Sequence, residues 1–124
     1  MNGMLIRRLT DCPEIIAGDH TRLRELLHPD RGYRFEGRYS LAYAVVEPGK
    51  SSQPHRLKTS EVYYVLSGEG EMHIDSESAL IRSGDAVVIP ADSVQWARNR
   101  GTVPLVFLCI VDPAWKAEDE EVLG

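Results

Sequence analysis

From residue 40 onward the apolar and polar positions fall into short runs divided by turn residues. Residues 40–47 are rich in β-branched and aromatic side chains and end at Pro48-Gly49. Residues 61–66 follow and close at Ser67-Gly68-Glu69-Gly70. Residues 71–75 and 79–82 are joined by a polar turn at 75–78, and 85–90, 94–99 and 104–111 complete the series. Short strands at regular spacing, punctuated by Gly and Pro, predict an all-β sandwich or barrel. No helical pattern intervenes as βαβ units would require. Residues 21–28 are ambiguous: Leu23, Leu26 and Leu27 suit one helix face, but eight residues are too few to settle the matter. We read the segment as extended and added to the sheet edge, with a mostly polar loop at 29–37 after it. Asp112-Pro113 is expected to open one turn of helix, with Asp as N-cap and Pro in the first helical position.

Residues of one parity share a face of a strand. His55 and Leu57 therefore point the same way, as do Glu61, Tyr63 and Val65, while Val62, Tyr64 and Leu66 pack on the other face. Gln95 shares a face with Ala97 and Asn99, and Trp96 faces away from them. His73 has the parity opposite to Met72 and Ile74, so it is expected to be exposed, like His20. Trp115 is expected to anchor the C-terminal tail.

A length of 124 residues fits one domain, 1–124, with its core barrel at about 40–111. With 43% hydrophobic and 27% charged residues the chain can bury a core without staples. A net charge of −5 repels phosphate backbones, so nucleic-acid binding is disfavoured. The run Glu118-Asp119-Glu120-Glu121 reads as a solvated end. Cys12 and Cys109 make no CxxC motif and no disulfide framework; Cys109 lies in an apolar run and is expected to be buried. No segment has the roughly 20 apolar residues of a membrane span. The N-terminus lacks a signal-peptide core. A cytoplasmic setting follows by default. Gly68-x-Gly70 is followed by His73 where a dinucleotide fingerprint needs glycine. Ser51, Ser52 and Ser67 lack the context of a nucleophile elbow.

Two segments carry a more specific pattern. Gly49 is followed by five residues, His55-Arg56-Leu57, three residues, Glu61, six residues and Gly68. Gly84 is followed by five residues, Pro90-Ala91-Asp92, two residues, Gln95, three residues and Asn99. In order and at full spacing these resemble the paired motifs of the cupin superfamily. The gap of about 15 residues between them is as short as in its small members. The resemblance implies a double-stranded β-helix (jelly-roll) barrel with an N-terminal arm and one pocket in its mouth.

The resemblance also implies a divalent metal, held in the family by two histidines and a glutamate of the first motif and a histidine of the second. His55 and Glu61 match, whereas Leu57 and Gln95 stand where the other two histidines would be. Leucine cannot ligate, and an amide oxygen is a weak neutral donor. The set His55, Glu61 and Gln95 is compatible with weakly held Fe, Mn, Ni or Zn, and equally with a polar pocket without metal. Leu57, Tyr63, Tyr43, Asn99 and His28 are the further pocket candidates, His28 as a source of the missing imidazole. Tyr63 is a candidate general acid, though a packed wall residue is the commoner role for such a phenol. Arg56, Lys58 and Arg98 near the rim could attract an anion or simply face water. Sheet edges and an apolar outer face need a cover; the resemblance implies a homodimer, with Leu5, Ile6 and Leu9 suited to an exchanged arm, and a monomer whose own N-terminus covers the edge is the alternative. Three readings remain open. One is a metal-dependent enzyme acting on a small molecule, by sugar-phosphate isomerisation, dioxygen-dependent cleavage or decarboxylation. The second is a metal-free module that binds or senses a small molecule. The third is a structural dimer with a vestigial pocket.

Overall fold

A computed structural model describes residues 3–123; Met1, Asn2 and Gly124, the ends of the expected 1–124 domain, lie outside the described residues. The chain runs through β1 (Glu14–Ile16), β2 (Arg22–Leu27), β3 (Ser40–Val46), β4 (His55–Leu57), β5 (Ser60–Ser67), β6 (Glu69–Ile74), β7 (Glu77–Arg82), β8 (Ala86–Ile89), β9 (Gln95–Arg98), β10 (Leu105–Asp112) and β11 (Glu120–Val122). Antiparallel pairing builds a sheet of order β1-β2-β3-β10-β5-β8 and a second of order β11-β4-β9-β6-β7. The two face each other as a jelly roll, and their inner faces make the core. No helix among the described residues is long and apolar enough to cross a membrane.

Alternation puts the expected side chains inside. Ala44 and Val46 of β3, Tyr63 and Val65 of β5, and Ala97 of β9 are all buried, and they meet Phe107 and Cys109 of β10 in one cluster. Strand β10 departs from strict alternation, because Leu105, Val106 and Phe107 are buried in succession. The inward parity of Leu105, Phe107, Cys109 and Val111 is kept, and Val106 is an outer-face residue that is buried as well; the register shift between Val106 and Phe107 places its extra residue, Leu66, on β5. Residues 21–28 resolve as extended structure, β2, which pairs with β3.

Gly68 sits at φ +81°, and a Cβ there would meet the Pro104 carbonyl. The Gly68-Glu69-Gly70 run thus lets the β5–β6 turn close on the start of β10, a packing role. Asn99 performs the same kind of work at the other motif. Its Nδ2 donates to the carbonyls of Val46 (2.9 Å) and Val103 (2.8 Å), and its Oδ1 accepts the Gly101 N–H at 2.8 Å. Asn99→Ala is expected to strand those buried groups and to cost about 1–3 kcal/mol, read from urea denaturation; an unchanged midpoint would refute the role.

Four expectations need correction. Asp112-Pro113 opens no helical turn. Strand β10 runs through Asp112, which pairs with Ser60, and its carboxylate takes a 2.7 Å hydrogen bond from Arg38 instead of capping a helix. A 3-10 turn comes later, at Ala117–Asp119. The acidic run is not only a solvated end either, because Glu120 begins β11, which pairs with β4 and closes the second sheet. Finally, the outer side of β5 is not packed: Tyr64 is 43% and Leu66 40% exposed. His73, expected to be exposed, stacks on Trp96 at 3.7 Å between ring centroids and bonds Glu71 at 2.6 Å.

Candidate functional site

The inner face of the larger sheet, with the β1–β2 hairpin at its edge, and strands β4 and β11 of the second sheet line a cavity of about 630 Å³. Leu23 of β2, Ala42 and Ala44 of β3, and Phe107, Cys109 and Val111 of β10 give it an apolar wall. Glu61 and Tyr63 of β5 stand beside β10 on the same sheet, and His55 and Leu57 of β4, Asp19 from the β1–β2 turn and Glu120 of β11 complete the lining. His55 and Gln95 face each other in register on β4 and β9, which explains how motifs far apart in sequence meet.

Burial dominates the chemistry of the polar side. Glu61 is 7% exposed. Loss of water raises its carboxyl from the ordinary value near 4.5 to about 8; the Gln95 hydrogen bond opposes the rise, and the negative charges of Asp19 and Glu120 add to it. Glu61 is therefore a neutral carboxylic acid at pH 7. Its Oε1 accepts Gln95 Nε2 at 2.8 Å, and Gln95 Oε1 accepts the Tyr63 hydroxyl at 2.8 Å. Burial, then the Glu61 charge, pushes the Tyr63 phenol well above its usual range, so it remains a donor. The Cys109 thiol is raised by burial too and stays protonated, which makes it inert as a nucleophile.

His55 is held from behind. Its Nδ1 lies 2.8 Å from the Gln53 carbonyl, which can only accept, so Nδ1 carries a proton and Nε2 faces the cavity. Nε2 is 3.6 Å from Asp19 Oδ2. Asp19 is fixed in turn by Thr21, whose hydroxyl donates to Oδ1 at 2.7 Å and whose N–H donates at 3.2 Å. Burial raises the Glu120 carboxyl, with His55 pulling it back and Asp19 raising it further.

Of the expected site residues, His55, Glu61, Leu57 and Tyr63 line the cavity, and Gln95 reaches it through Glu61 and Tyr63. The other three are elsewhere. Tyr43 has the parity opposite to Ala42 and Ala44; it lies on the outer face, in register with Leu108. Asn99 is committed to the backbone contacts above. His28 bonds the Trp115 carbonyl through Nε2 at 2.7 Å and accepts the Asp30 N–H at Nδ1, so both nitrogens are used in holding the tail. Arg56 pairs with Glu121 on the outside, and neither it nor Arg98 lines the cavity. Asp19 and Glu120 were not anticipated. Asp19 left one trace, an acidic side chain two residues before Thr21 in a Gly-containing turn, whereas Glu120 looked like any member of a charge run.

The donor set does not fit the metal that the cupin resemblance implies. The Gln95 oxygen is turned to the Tyr63 hydroxyl and its nitrogen to Glu61. Among the described residues no group of three His, Cys, Asp or Glu is placed to hold a metal ion.

Comparison with known proteins agrees with the architecture. The model of the cupin domain family matches residues 42–111. An uncharacterized protein of Methanocaldococcus jannaschii is 39% identical over 110 residues, 87% of this chain and 86% of that protein. An oxalate-binding protein of Thermotoga maritima is 31% identical over 65 residues, 52% of this chain and 54% of that protein. The crystal structure of a cupin 2 conserved barrel protein from Salinispora arenicola superposes with a TM-score of 0.76 at 23% identity, over 94% of this chain and 92% of that one.

Proposed function

The chain belongs to the cupin family, and from that premise we propose that it binds a small organic molecule in its barrel pocket without a bound metal. The observation that supports this reading is the relay Tyr63–Gln95–Glu61. It commits to hydrogen bonds the Gln95 oxygen that a metal would need, and it keeps a neutral acid and a phenol on a cavity with a broad apolar wall. Such a cavity, mostly apolar with a few convergent polar groups, is the usual form of a small-molecule site. Protein purified without added metal is expected to carry far less than one equivalent of Fe, Mn, Ni or Zn by elemental analysis. Its thermal midpoint is expected to stay put when any of the four is added. Stoichiometric metal, or a midpoint raised by several degrees, would overturn the reading. His55→Ala then separates the roles: lost metal with retained fold makes His55 a ligand.

A second reading, chemistry at a weakly held metal, is favoured by one feature. His55 is presented as metal-bound histidines are, with Nδ1 on a carbonyl and Nε2 turned inward toward Asp19. Isomerisation of a sugar phosphate, dioxygen-dependent cleavage and decarboxylation are the reactions that this reading covers.

The outer face of the larger sheet supports a homodimer. Val88, Val62 and Ile110 follow one another across β8, β5 and β10, with Tyr64 and Leu108 in the next row. Val88 is 69% exposed. A contiguous apolar row of this kind on a sheet calls for a cover. Light scattering is expected to give twice the chain mass, and Tyr64→Glu combined with Val88→Glu is expected to give monomers. A parent protein that is monomeric at micromolar concentration would refute it.

A further inference from the structure

The cavity has two unlike sides, and their charge selects the kind of molecule that fits. On the polar side Asp19, Glu61 and Glu120 converge, and His55 is the single basic group among them. The two arginines that border the cavity are engaged. Arg7 donates to the Leu26 carbonyl at 3.1 Å and lies over the Tyr33 ring at 4.1 Å. Exposed Arg31 makes a two-pronged ion pair with Glu25 at 2.6 and 3.0 Å. Neither guanidinium faces the three carboxyl groups as a partner.

One polar atom opens on this space. Glu61 is more than nine-tenths buried and lines the cavity, and its Oε1 is bonded to Gln95. Its Oε2 is not among the walled-in side-chain atoms that lack a partner, of which Thr59 Oγ1 is the one among the described residues, so Oε2 is left open toward the cavity. A group of the ligand can therefore reach it. Asp19 likewise has Oδ1 filled by Thr21, and Oδ2 has only the His55 ring at 3.6 Å.

On the pocket reading above, we infer that the ligand is an amphipathic organic cation, an ammonium group on an apolar body. Its charged end lies among Asp19, Glu61 and Glu120, and its body lies against Leu23, Ala44 and Phe107. An anion would enter a cavity bordered by Asp19 and Glu120, whose negative charge repels it at low dielectric, whereas Glu61, neutral on its own, is drawn toward its charged form only beside a cation. A neutral molecule of the same shape would strip water from the carboxyl groups and return only hydrogen bonds. A cation offsets that desolvation. Aromatic side chains border the cavity as well, Tyr63, Phe107 and Trp115, a lining that favours a positive charge over a neutral isostere wherever a ring face is reached.

Matched probes test this in calorimetric titrations at fixed ionic strength: hexylammonium, hexan-1-ol, hexanoate and oxalate. Hexylammonium is expected to bind at least about tenfold more tightly than hexan-1-ol, and neither acid is expected to bind. Asp19→Asn and, on the edge strand, Glu120→Gln are each expected to shrink the hexylammonium-to-hexanol ratio severalfold. Equal or tighter binding of the alcohol, or binding of either acid, overturns the cation assignment and leaves the pocket reading standing. A ratio unchanged in both variants also overturns it. Binding of none of the probes overturns the cation assignment, and a metabolite thermal-shift screen without a hit would remove the pocket reading as well.

Discussion

Phe107→Ala is expected to lower the folding free energy by about 3–5 kcal/mol, near the top of the range for core truncations. The ring is 1% exposed and sits on the central strand of the larger sheet, in register with Ala44 on one side and Val65 on the other. It packs 4.3 Å from the Tyr63 ring, centroid to centroid. Ala44 is too small to expand into the space. The backbone is pinned as well, because Phe107 is paired on both sides, with β3 and with β5. Relaxation is therefore limited, and most of the void persists. The same ring borders the ligand cavity, so the truncation also enlarges the pocket on its apolar side. Urea denaturation with an unchanged m-value measures the loss. Tyr64→Ala, on the exposed face of the neighbouring strand, is the control and is expected to cost under about 1 kcal/mol in a monomer. A Phe107 loss no larger than the Tyr64 loss would mean that the inner face has been misassigned.

The barrel was legible because its rules are local. Period-two alternation in 40–46 and 61–67 needs no tertiary knowledge, and Pro48-Gly49 and Gly84 mark turns by backbone chemistry alone. Parity also placed His55, Glu61 and Gln95 on inner faces. The same reasoning failed where pairing, and not pattern, decides the structure. Strand β11 is three residues of an acidic run, and nothing in Glu120-Glu121-Val122 states that β4 will take it as a neighbour. Helix-opening chemistry at Asp112-Pro113 lost to a strand register fixed by β5 and to Arg38.

Pocket membership was harder to read than inward direction. Asn99 is inward and buried, yet its amide is spent on three backbone groups. His28 looked like a spare imidazole, but a segment that covers the barrel must satisfy its own polar groups, and the Trp115 carbonyl claimed it. Tyr43 was placed by strand proximity when parity, applied from Ala42, already put it outside. Asp19 and Glu120 reach the site from elements outside the two motifs. A motif-based reading finds the residues its family uses, and this site takes part of its charge from elsewhere.

Glu61→Gln is expected to remove the fall in stability that the parent shows between pH 5 and 8. The folded protein holds a proton on Glu61 up to about pH 8, whereas the unfolded chain releases it near 4.5. Between those values the native state binds more protons, so parent stability falls as pH rises, by up to about 1.4 kcal/mol per pH unit. The contribution is complete below pH 4.5 and is lost as pH climbs through the folded value. Over the whole window the loss is on the order of 5 kcal/mol, an upper figure because Glu61 and the neighbouring Glu120 carboxyl influence one another. Glutamine keeps the Oε1 that accepts Gln95 and cannot ionise. The variant should match the parent at pH 5 and exceed it by several kcal/mol above pH 8, in denaturation curves taken at each pH. A parent whose stability is flat from pH 5 to 8 would show that Glu61 ionises as an ordinary carboxyl. In that case water reaches the end of the barrel where the ligand is proposed to sit, and the dry, acid-lined cavity on which the functional reading depends does not exist.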